Sequence, residues 1–328
     1  MITEGILNIN KPEGWTSQDV CAKLRGRLHI KKIGHTGTLD PMATGVLPVC
    51  IGRATRIIEY YDKDLKSYHA TMKLGVVTDT LDITGEVLEE TPVRIIDETA
   101  KTSEASCTDT QYTDACVKMI VNSDIKRAFA EYTGEIVQIP PKYSALKIGG
   151  RRAYDLAREG KEVEIKARTI TVASNEITLI DAEAAVIEFD VVCSKGTYIR
   201  TICDDIGRQL GCGATMTALI RTSNGYFRLE DALELKDVIE MTDEELEKHI
   251  IPADETLKMP GTVLLDNNRV IAFRNGHSSS GRTYEIIETG RFDNIYKVYS
   301  KKDKNTHGDF LGMGEIREGE LVPSKVMI

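Results

Sequence analysis

An α+β fold is predicted by three features of this 328-residue sequence. Helical and strand periodicities mix along the chain without the regular strand–helix–strand rhythm of a parallel α/β sheet. After about residue 250 the apolar runs become short and are separated by Gly, Asn and Asp, which is typical of a small β-rich domain. The chain length favours two domains. We therefore expect one large domain over residues 1–250 and a β-rich C-terminal domain over residues 251–328.

The first elements are indicated by a short apolar run and an amphipathic stretch. The run GILNINKP is stopped by Pro12 and Gly14, which predicts a strand followed by a turn. The next stretch, TSQDVCAKLRGRLH, has Thr16 or Ser17 as its candidate N-cap and predicts a helix. Its apolar residues share one helical face: Val20, Cys21, Leu24 and Leu28. Residues 31–45 show no periodicity.

The middle of the chain alternates between strand and helix patterns. SYHATMKLGV places Tyr68 and every second residue after it on one face, which predicts a strand. Residues from about 95 to 118 are polar and aperiodic, so we expect a surface insertion before an amphipathic helix that carries Ile125 and Phe129. Strands are predicted for RTITVASNEITLI and AAVIEFDVVC, and helices for RRAYDLAREG and TYIRTICDDIGRQLG.

The composition contains no pattern for a metal or cofactor site. Seven cysteines include no CxxC pair, six histidines show no HxxxH or HxH spacing, and neither a P-loop nor GxGxxG occurs. We therefore expect reduced, mostly buried thiols, no metal and no cofactor. The start lacks the basic and apolar regions of a signal peptide, and no apolar run reaches membrane-spanning length. A cytoplasmic protein without a membrane partner is expected.

The net charge of −9 is unevenly distributed along the chain. Residues 142–168 are net positive, whereas residues 79–104 and 230–258 are acidic. This asymmetry is compatible with a basic cleft for nucleic acid on an acidic body. It is equally compatible with ordinary solvated faces. Charge alone therefore leaves both interpretations open.

The stretch HTGTLDPMATG, residues 35–45, holds an acid within a loop. Pro41 disfavours helical backbone geometry for Asp40, while Gly37 and Gly45 permit turns and close approach. A loop of this kind can display a carboxylate to a ligand. On spacing alone, an aspartate before proline and near glycine is more often part of a plain turn.

The longer stretch KIGHTGTLDPMATGVLPVCIGRATR resembles the signature of the bacterial tRNA pseudouridine-55 synthases, the TruB family of pseudouridine synthases. Other blocks resemble the family in the same order: LNINKPEGWTS, DKDLKSYHATMKLGVVTDTLDITGE, IPPKYSALKIGGRRAYDLAREG, CSKGTYIRTICDDIGRQLGCGA and ALIRTSNGYF. The resemblance implies the pseudouridine synthase fold, with a mixed, mainly antiparallel sheet and flanking helices. It also implies a PUA-like RNA-binding domain, which the C-terminal segment resembles loosely.

The resemblance implies that a uridine in the T-loop of tRNA, at position 55, is isomerised to pseudouridine. The N1–C1′ bond breaks, the uracil turns, and C5 bonds to C1′, without redox change or net hydrolysis. An anion facing the electron-poor sugar carbon suits this chemistry, and the resemblance makes Asp40 that group. Whether Asp40 attacks C1′, attacks the ring or removes the C2′ proton is left open.

The resemblance assigns further residues to the site. Arg200 matches the position that pairs with the catalytic acid, and Tyr68 matches the aromatic residue that stacks on the uracil and can take the C5 proton. The alternatives are a surface arginine and a core aromatic. The predicted substrate and RNA contacts are His35, Lys11, Tyr198, Lys147, Arg151 and Arg221. For Tyr198, the alternative is packing in the core, which is favoured over a contact at the pocket wall.

The implied partner is the T-arm of tRNA, bound by a monomer that requires no other protein. Three other functions are considered. The guide-RNA-dependent synthase of H/ACA particles shares the catalytic core, but its loop more often has serine after the histidine. A non-catalytic RNA binder or chaperone would not need Asp40, Tyr68 and Arg200. A hydrolase would need a paired carboxylate or a Ser/His arrangement, which we do not identify.

Overall fold

The computed structural model of the chain describes residues 2–97, 117–144, 146–159, 164–292, 294–303 and 306–327. Most of the predicted insertion at residues 95–118 lies outside the described residues. The chain divides into two compact units. Unit 1 consists of Met1–Pro41, Gly45–Asp64 and Ser223–Ile328, and unit 2 consists of Met42–Thr44 and Leu65–Thr222.

Strands make up most of the regular structure of the described residues. In chain order they are β1 (Gly5–Lys11), β2 (Ile33–His35), β3 (Thr44–Ile51), β4 (Lys66–Leu74), β5 (Val76–Thr78), β6 (Val87–Glu90), β7 (Val93–Ile96), β8 (Lys118–Val121), β9 (Gly134–Gln138), β10 (Lys147–Ile148), β11 (Arg151–Arg152), β12 (Arg168–Asp181), β13 (Val186–Cys193), β14 (Ala214–Asn224), β15 (Phe227–Arg228), β16 (Leu233–Glu234), β17 (Gly261–Leu265), β18 (Ser279–Ser280), β19 (Tyr284–Glu288), β20 (Ile295–Asp303), β21 (Thr306–Arg317) and β22 (Glu320–Val326).

In the described residues the helices are fewer than the strands and lie between groups of strands. The α-helices are α1 (Ser17–Leu28), α2 (Asn122–Glu131), α3 (Ala153–Arg158), α4 (Ile199–Gln209), α5 (Leu235–Glu240), α6 (Asp243–Glu247), α7 (Ala253–Thr256) and α8 (Val270–Arg274), and 3-10 helices cover Gly52–Lys63, Leu229–Asp231 and Asn267–Arg269. This mixture confirms the predicted α+β class.

In unit 1, β1 lies between β3, with which it is antiparallel, and β16, with which it is parallel. The helix α1 begins as predicted, because the Thr16 side chain accepts from the Asp19 N–H and the Asp19 carboxylate accepts from the Thr16 N–H. The predicted apolar face of α1 packs against the strands, since Val20, Cys21 and Leu24 belong to a buried cluster with residues of β1 and β3.

In unit 2, five strands lie in the order β14, β4, β13, β12 and β9. Burial alternates along β4, so Tyr68 lies on the predicted inner face. The amphipathic helix α2 buries Ile125 and Phe129, and the Phe129 ring packs edge-to-face on Phe189 at 5.1 Å. These contacts place the core of unit 2 between the sheet and its helices.

The C-terminal segment forms the predicted β-rich structure. Its six strands lie in the order β18, β22, β21, β20, β17 and β19, with a buried cluster that includes Val263, Phe273 and Leu321. Met313 of β21 and Ile6 of β1 belong to a second buried cluster, whose buried members all lie in unit 1. The expected boundary between residues 250 and 251 remains a prediction.

A half-buried acid on α4 predicts a dependence of stability on pH. Burial and the neighbouring Asp204 raise the pKa of Asp205 to about 6 from its ordinary value of 3.8. The folded state therefore binds more protons between these values, and the free energy of unfolding should fall as pH rises from about 4 to about 6. We expect Asp205→Asn to raise stability in urea unfolding at neutral pH and to lose that advantage below about pH 4. Asp237→Asn, at an exposed position of α5, is the control. An advantage that is the same at both pH values would contradict this assignment.

The cysteines of the described residues are buried thiols. Five cysteines are buried and unpaired, namely Cys21, Cys50, Cys193, Cys203 and Cys212, and burial raises the pKa of Cys21 to about 11. Cys107 and Cys116 lie outside the described residues.

In the described part of the chain, no helix is long and apolar enough to cross a bilayer.

Candidate active site

The loop that carries Asp40 is fixed on both sides of this residue by unit 1. Before Asp40, the Ser17 hydroxyl accepts from the Leu39 N–H at 2.9 Å and donates to the Leu39 carbonyl at 3.3 Å. After Asp40, the Pro41 carbonyl accepts from the Gly14 N–H at 2.9 Å and from the Lys11 ammonium at 3.1 Å. The Asp40 side chain itself is half-buried. A half-buried carboxylate between two anchored residues is arranged to meet a ligand with little loss of conformational freedom.

Lys11, a predicted RNA contact, is fully buried. Its ammonium donates to the carbonyl oxygens of Pro12 at 2.8 Å, Trp15 at 2.6 Å and Pro41 at 3.1 Å. These contacts join the end of β1, the turn after it and the Asp40 loop. The RNA contact of Lys11 remains a prediction, and the observed geometry makes this residue a support of the loop.

Replacing Lys11 should loosen the Asp40 loop. In Lys11→Met the Pro12 and Trp15 carbonyls lose the donor that binds them in the folded state, which should lower the free energy of unfolding by roughly 3 kcal/mol. Urea denaturation measures this loss. Lys23→Met removes an exposed lysine from α1 and should change stability by less than about 0.5 kcal/mol. Equal stability of the two variants would show that the buried contacts of Lys11 do not stabilise the loop.

His35 and Thr36 form the entry to the loop. His35 ends β2 and pairs with Val49 of β3, and its Nδ1 accepts from the Gly37 N–H at 3.3 Å. The buried Thr36 hydroxyl accepts from the Asn224 amide at 3.0 Å. The short strand β2 lies in the region where no periodicity was predicted.

Arg200 lies at the start of α4 in unit 2 and is buried. Its guanidinium donates to the Thr80 carbonyl at 2.9 Å and the Tyr143 carbonyl at 3.0 Å. It also forms an ion pair with the buried Asp82 at 3.3 Å. Buried charges of opposite sign need this geometry because each would otherwise be desolvated without compensation. The expected contact of Arg200 with Asp40 remains a prediction.

Asp82 was not singled out from the sequence, although it belongs to the block TDTLDIT. Its carboxylate accepts from the Thr80 hydroxyl at 2.9 Å, and from the N–H of Thr84 at 3.0 Å and the hydroxyl of the same residue at 2.6 Å. These donors satisfy Oδ1, while Oδ2 faces Arg200. Asp and Thr two residues apart are typical of such turns, but the sequence gives no sign that the turn meets α4.

Tyr68 is 8% exposed and lies on the inner face of β4. Arg221, from the neighbouring strand β14, is fully buried and donates a hydrogen bond to the Tyr68 hydroxyl. Burial lowers the pKa of Arg221, and this contact opposes that effect. The RNA contact of Arg221 is not tested by the structure and stays a prediction. The whole Arg221 side chain is buried, which does not favour such a contact.

Tyr198 precedes α4 and is half-buried. The buried Gln138 amide donates to the Tyr198 carbonyl at 3.0 Å and accepts from the Tyr198 N–H at 2.8 Å. The Arg168 guanidinium lies over the Tyr198 ring at 5.0 Å and also donates to the Gly196 carbonyl. Gly196 has φ +82°, and a Cβ there would lie 3.2 Å from the guanidinium carbon. A side chain at position 196 would therefore disturb the stack.

Two predicted RNA contacts come from the short pair β10 and β11. Lys147 pairs through its backbone with Arg152. Arg151 is exposed and forms a hydrogen-bonded ion pair with Glu159, including a contact of 3.1 Å from Nη1. An exposed pair of this kind contributes little to stability and can open at little cost. The RNA contacts of Lys147, Arg151, His35 and Tyr198 remain predictions.

The described residues form two chemically distinct groups. Unit 1 presents Asp40 in an anchored loop, and unit 2 holds Arg200 and Tyr68 in buried contacts with Asp82 and Arg221. Among the described residues, no group of three or more His, Cys, Asp and Glu is placed to hold a metal ion. A carboxylate, a buried guanidinium and a phenol can supply an anion, charge stabilisation and proton transfer to a substrate.

Known proteins resemble the chain over almost its whole length. The profile described as TruB family pseudouridylate synthase (N terminal domain) matches residues 25–109 and 95–199. The profile described as tRNA pseudouridylate synthase B C-terminal domain matches residues 200–258. A protein named tRNA pseudouridine synthase B from Clostridium kluyveri is 39% identical over 325 residues, which cover 99% of this chain and 100% of that protein. Its namesake from Clostridium perfringens is 42% identical, with 99% of each chain covered.

Solved structures resemble the fold. A chain from a Cbf5-Nop10-Gar1 complex superposes with a TM-score of 0.71 at 25% identity and covers 99% of this chain and 85% of that chain. A chain from an H/ACA RNP bound to a substrate RNA containing 2′-deoxyuridine gives a TM-score of 0.68 at 23% identity, with coverage of 99% and 85%. The pseudouridine synthase fold implied by the sequence blocks is therefore confirmed. With family profiles that match from residue 25 to residue 258 and relatives aligned over 99% of its length, the chain belongs to the TruB family of pseudouridylate synthases.

Proposed function

We propose that this protein isomerises a uridine in the T-loop of tRNA, at position 55, to pseudouridine, with Asp40 as the catalytic anion. Relatives that are 39% and 42% identical over 99% of the chain carry the name tRNA pseudouridine synthase B, which supports tRNA as the substrate. The observation that carries the role of Asp40 is its loop. The residues on both sides of Asp40 are anchored, whereas its own carboxylate is half-buried.

In this proposal Asp40 acts while the N1–C1′ bond of the flipped-out nucleotide breaks. It forms a bond with the substrate, stabilises positive charge at C1′ or takes the C2′ proton. The uracil then turns, and C5 bonds to C1′. The C5 proton must leave to restore the aromatic ring, and Tyr68 is the proposed group that stacks on the uracil and receives it. The electron pair of the broken N1–C1′ bond stays on the uracil, and N1 takes up a proton from solvent as C5 gives up its own. Any bond to Asp40 or any C2′ proton taken by Asp40 is returned when C5 bonds to C1′. Atoms and electrons therefore balance without a redox partner, because the product is an isomer of the substrate.

Arg200 is the proposed partner of the catalytic acid, and Asp82 is proposed to hold Arg200 in place. The ion pair of 3.3 Å and the two carbonyl contacts fix the guanidinium on several sides. A preorganised cation needs little reorganisation when charge develops in the transition state. His35, Lys147, Arg151 and Tyr198 are proposed to contact the RNA around the flipped nucleotide, by phosphate pairing or by stacking.

The experiment that tests this function uses the purified full-length protein and an unmodified tRNA transcript. Pseudouridine is mapped by carbodiimide adducts that stop primer extension. We expect one new stop, at position 55 in the T-loop, and none in a transcript with cytidine at that position. A stop pattern unchanged by the enzyme, or one confined to another arm, would contradict the proposal.

A second candidate is favoured by the likeness to the chain from a Cbf5-Nop10-Gar1 complex, which suggests a synthase that works within an assembly. The same reaction separates the two candidates, because it contains no guide RNA and no other protein. Modification under these conditions supports the stand-alone tRNA enzyme. Modification only after addition of a guide RNA would favour the assembly-dependent enzyme.

A further inference from the structure

Arg221 is buried in unit 2, where its guanidinium donates to a tyrosine hydroxyl. It lies on β14, which is next to β4 in the sheet, and the Thr217 hydroxyl of β14 donates to the Thr71 carbonyl of β4 at 3.2 Å. Its side chain is completely buried. Burying a charged guanidinium is costly unless acceptors inside the protein replace its hydrogen bonds to water. The Tyr68 hydroxyl is one such acceptor.

Tyr68 is thereby fixed at both ends of its side chain. The backbone of Tyr68 pairs with Val191 of β13, and the hydroxyl accepts from Arg221. A phenol held only by apolar packing can shift along its ring plane, whereas one that accepts from a buried cation has a set position for its oxygen. The same contact polarises the hydroxyl oxygen.

We propose that Arg221 is a positioning residue for the isomerisation, which holds the Tyr68 hydroxyl where the uracil ring and its C5 proton must meet it. This rests on the proposed function, in which Tyr68 stacks on the uracil and receives that proton. It changes the role of Arg221 from an RNA contact to a buried support. Its effect on the reaction passes through the Tyr68 oxygen and needs no contact with the RNA.

The proposal predicts non-additive kinetics. Arg221→Met should lower the single-turnover rate of C5 tritium release on the order of tenfold and leave the tRNA dissociation constant within about twofold. In the Tyr68→Phe background the hydroxyl is already absent, so Arg221→Met should cause little further loss. Arg127→Met, which removes an arginine with a largely exposed side chain from α2, should leave both quantities unchanged.

Stability gives a second readout of the same pair. Tyr68→Phe leaves a buried guanidinium short of an acceptor, so its melting temperature should fall by a few degrees. The double variant Tyr68→Phe/Arg221→Met removes both polar partners and should recover much of that loss. Arg221→Lys keeps the charge but not the planar fork, and should be slowed less than Arg221→Met.

Failure of the proposed function and failure of the proposed role of Arg221 give different results. If the wild-type protein releases no tritium, the proposed function is wrong. Suppose that the wild type is active and that Arg221→Met lowers the rate by the same factor in the wild-type protein and in Tyr68→Phe. Arg221 then does not act through Tyr68. The same conclusion follows if Arg221→Met weakens tRNA binding and leaves the rate unchanged. Should Arg221→Met alone fail to fold, a folded double variant would support the pairing, and an unfolded one would overturn it.

Discussion

Asp40→Asn should lower the single-turnover rate of pseudouridine formation by at least about 10³-fold while tRNA affinity changes little. The amide keeps the shape of the carboxylate and loses its negative charge, so every proposed role of the acid is removed together. The contacts of Leu39 and Pro41 involve neither oxygen of Asp40 and should persist. Rate at saturating enzyme and filter binding measure the two quantities separately.

The matched control for this prediction is Asp19→Asn, at the N-terminal cap of α1. Asp19 belongs to the same unit and accepts from Thr16, and its substitution should cost stability through the cap and leave the rate at saturating enzyme unchanged. Turnover by Asp40→Asn close to that of the wild type would remove Asp40 from the chemistry. A loss of tRNA affinity as large as the loss of rate would make it a binding residue instead.

Asp82→Ala should have the largest effect on stability among the substitutions considered. It leaves Arg200 buried without this carboxylate and removes the acceptor of two donors of Thr84. The Thr80 hydroxyl loses one of its two acceptors and keeps the backbone carbonyl of residue 82. We expect the free energy of unfolding to fall by about 3–5 kcal/mol, the range for breaking a buried pair from one side. Urea denaturation measures it. Since Arg200 then loses its fixed position, the folded fraction of Asp82→Ala should also form pseudouridine more slowly than the wild type.

Asp124→Ala serves as the comparison for Asp82→Ala. It breaks the surface pair with Arg127 on α2, where solvent screens both charges, and should cost less than about 1 kcal/mol. If the two variants lose the same stability, the burial of the Arg200 pair contributes nothing. If Asp82→Ala loses stability but retains the full rate at saturating enzyme, Asp82 supports the fold and not the position of Arg200.

The sequence predicted elements whose signals are local. The cap of α1, predicted at Thr16 or Ser17, the apolar face of α1 and the alternation along β4 each follow from neighbouring residues. All three are confirmed, with Thr16 as the cap. The three-residue strand β2 was not predicted because it is too short to show a period. The β-rich C-terminal segment was predicted from its turn residues, and its sheet order required the structure.

The side-chain contacts within the two groups could not be predicted from residue type and spacing. The resemblance implied that Lys11 and Arg221 contact RNA, yet both are fully buried, and their contacts with Pro41 and Tyr68 are formed only in the folded chain. Asp82 meets Arg200 through a turn and a helix that lie far apart in the sequence. The sequence shows which residues are cationic, whereas the burial of each one depends on how the folded chain packs around it.

The proposed isomerisation is tested by tritium release from tRNA labelled at C5 of its uridines, with purified full-length protein and no guide RNA. We expect release that stops at one tritium per tRNA, that is lost with cytidine at position 55 and that Asp40→Asn does not support. No release by the wild-type protein, release that continues beyond one site, or equal release by Asp40→Asn would contradict it.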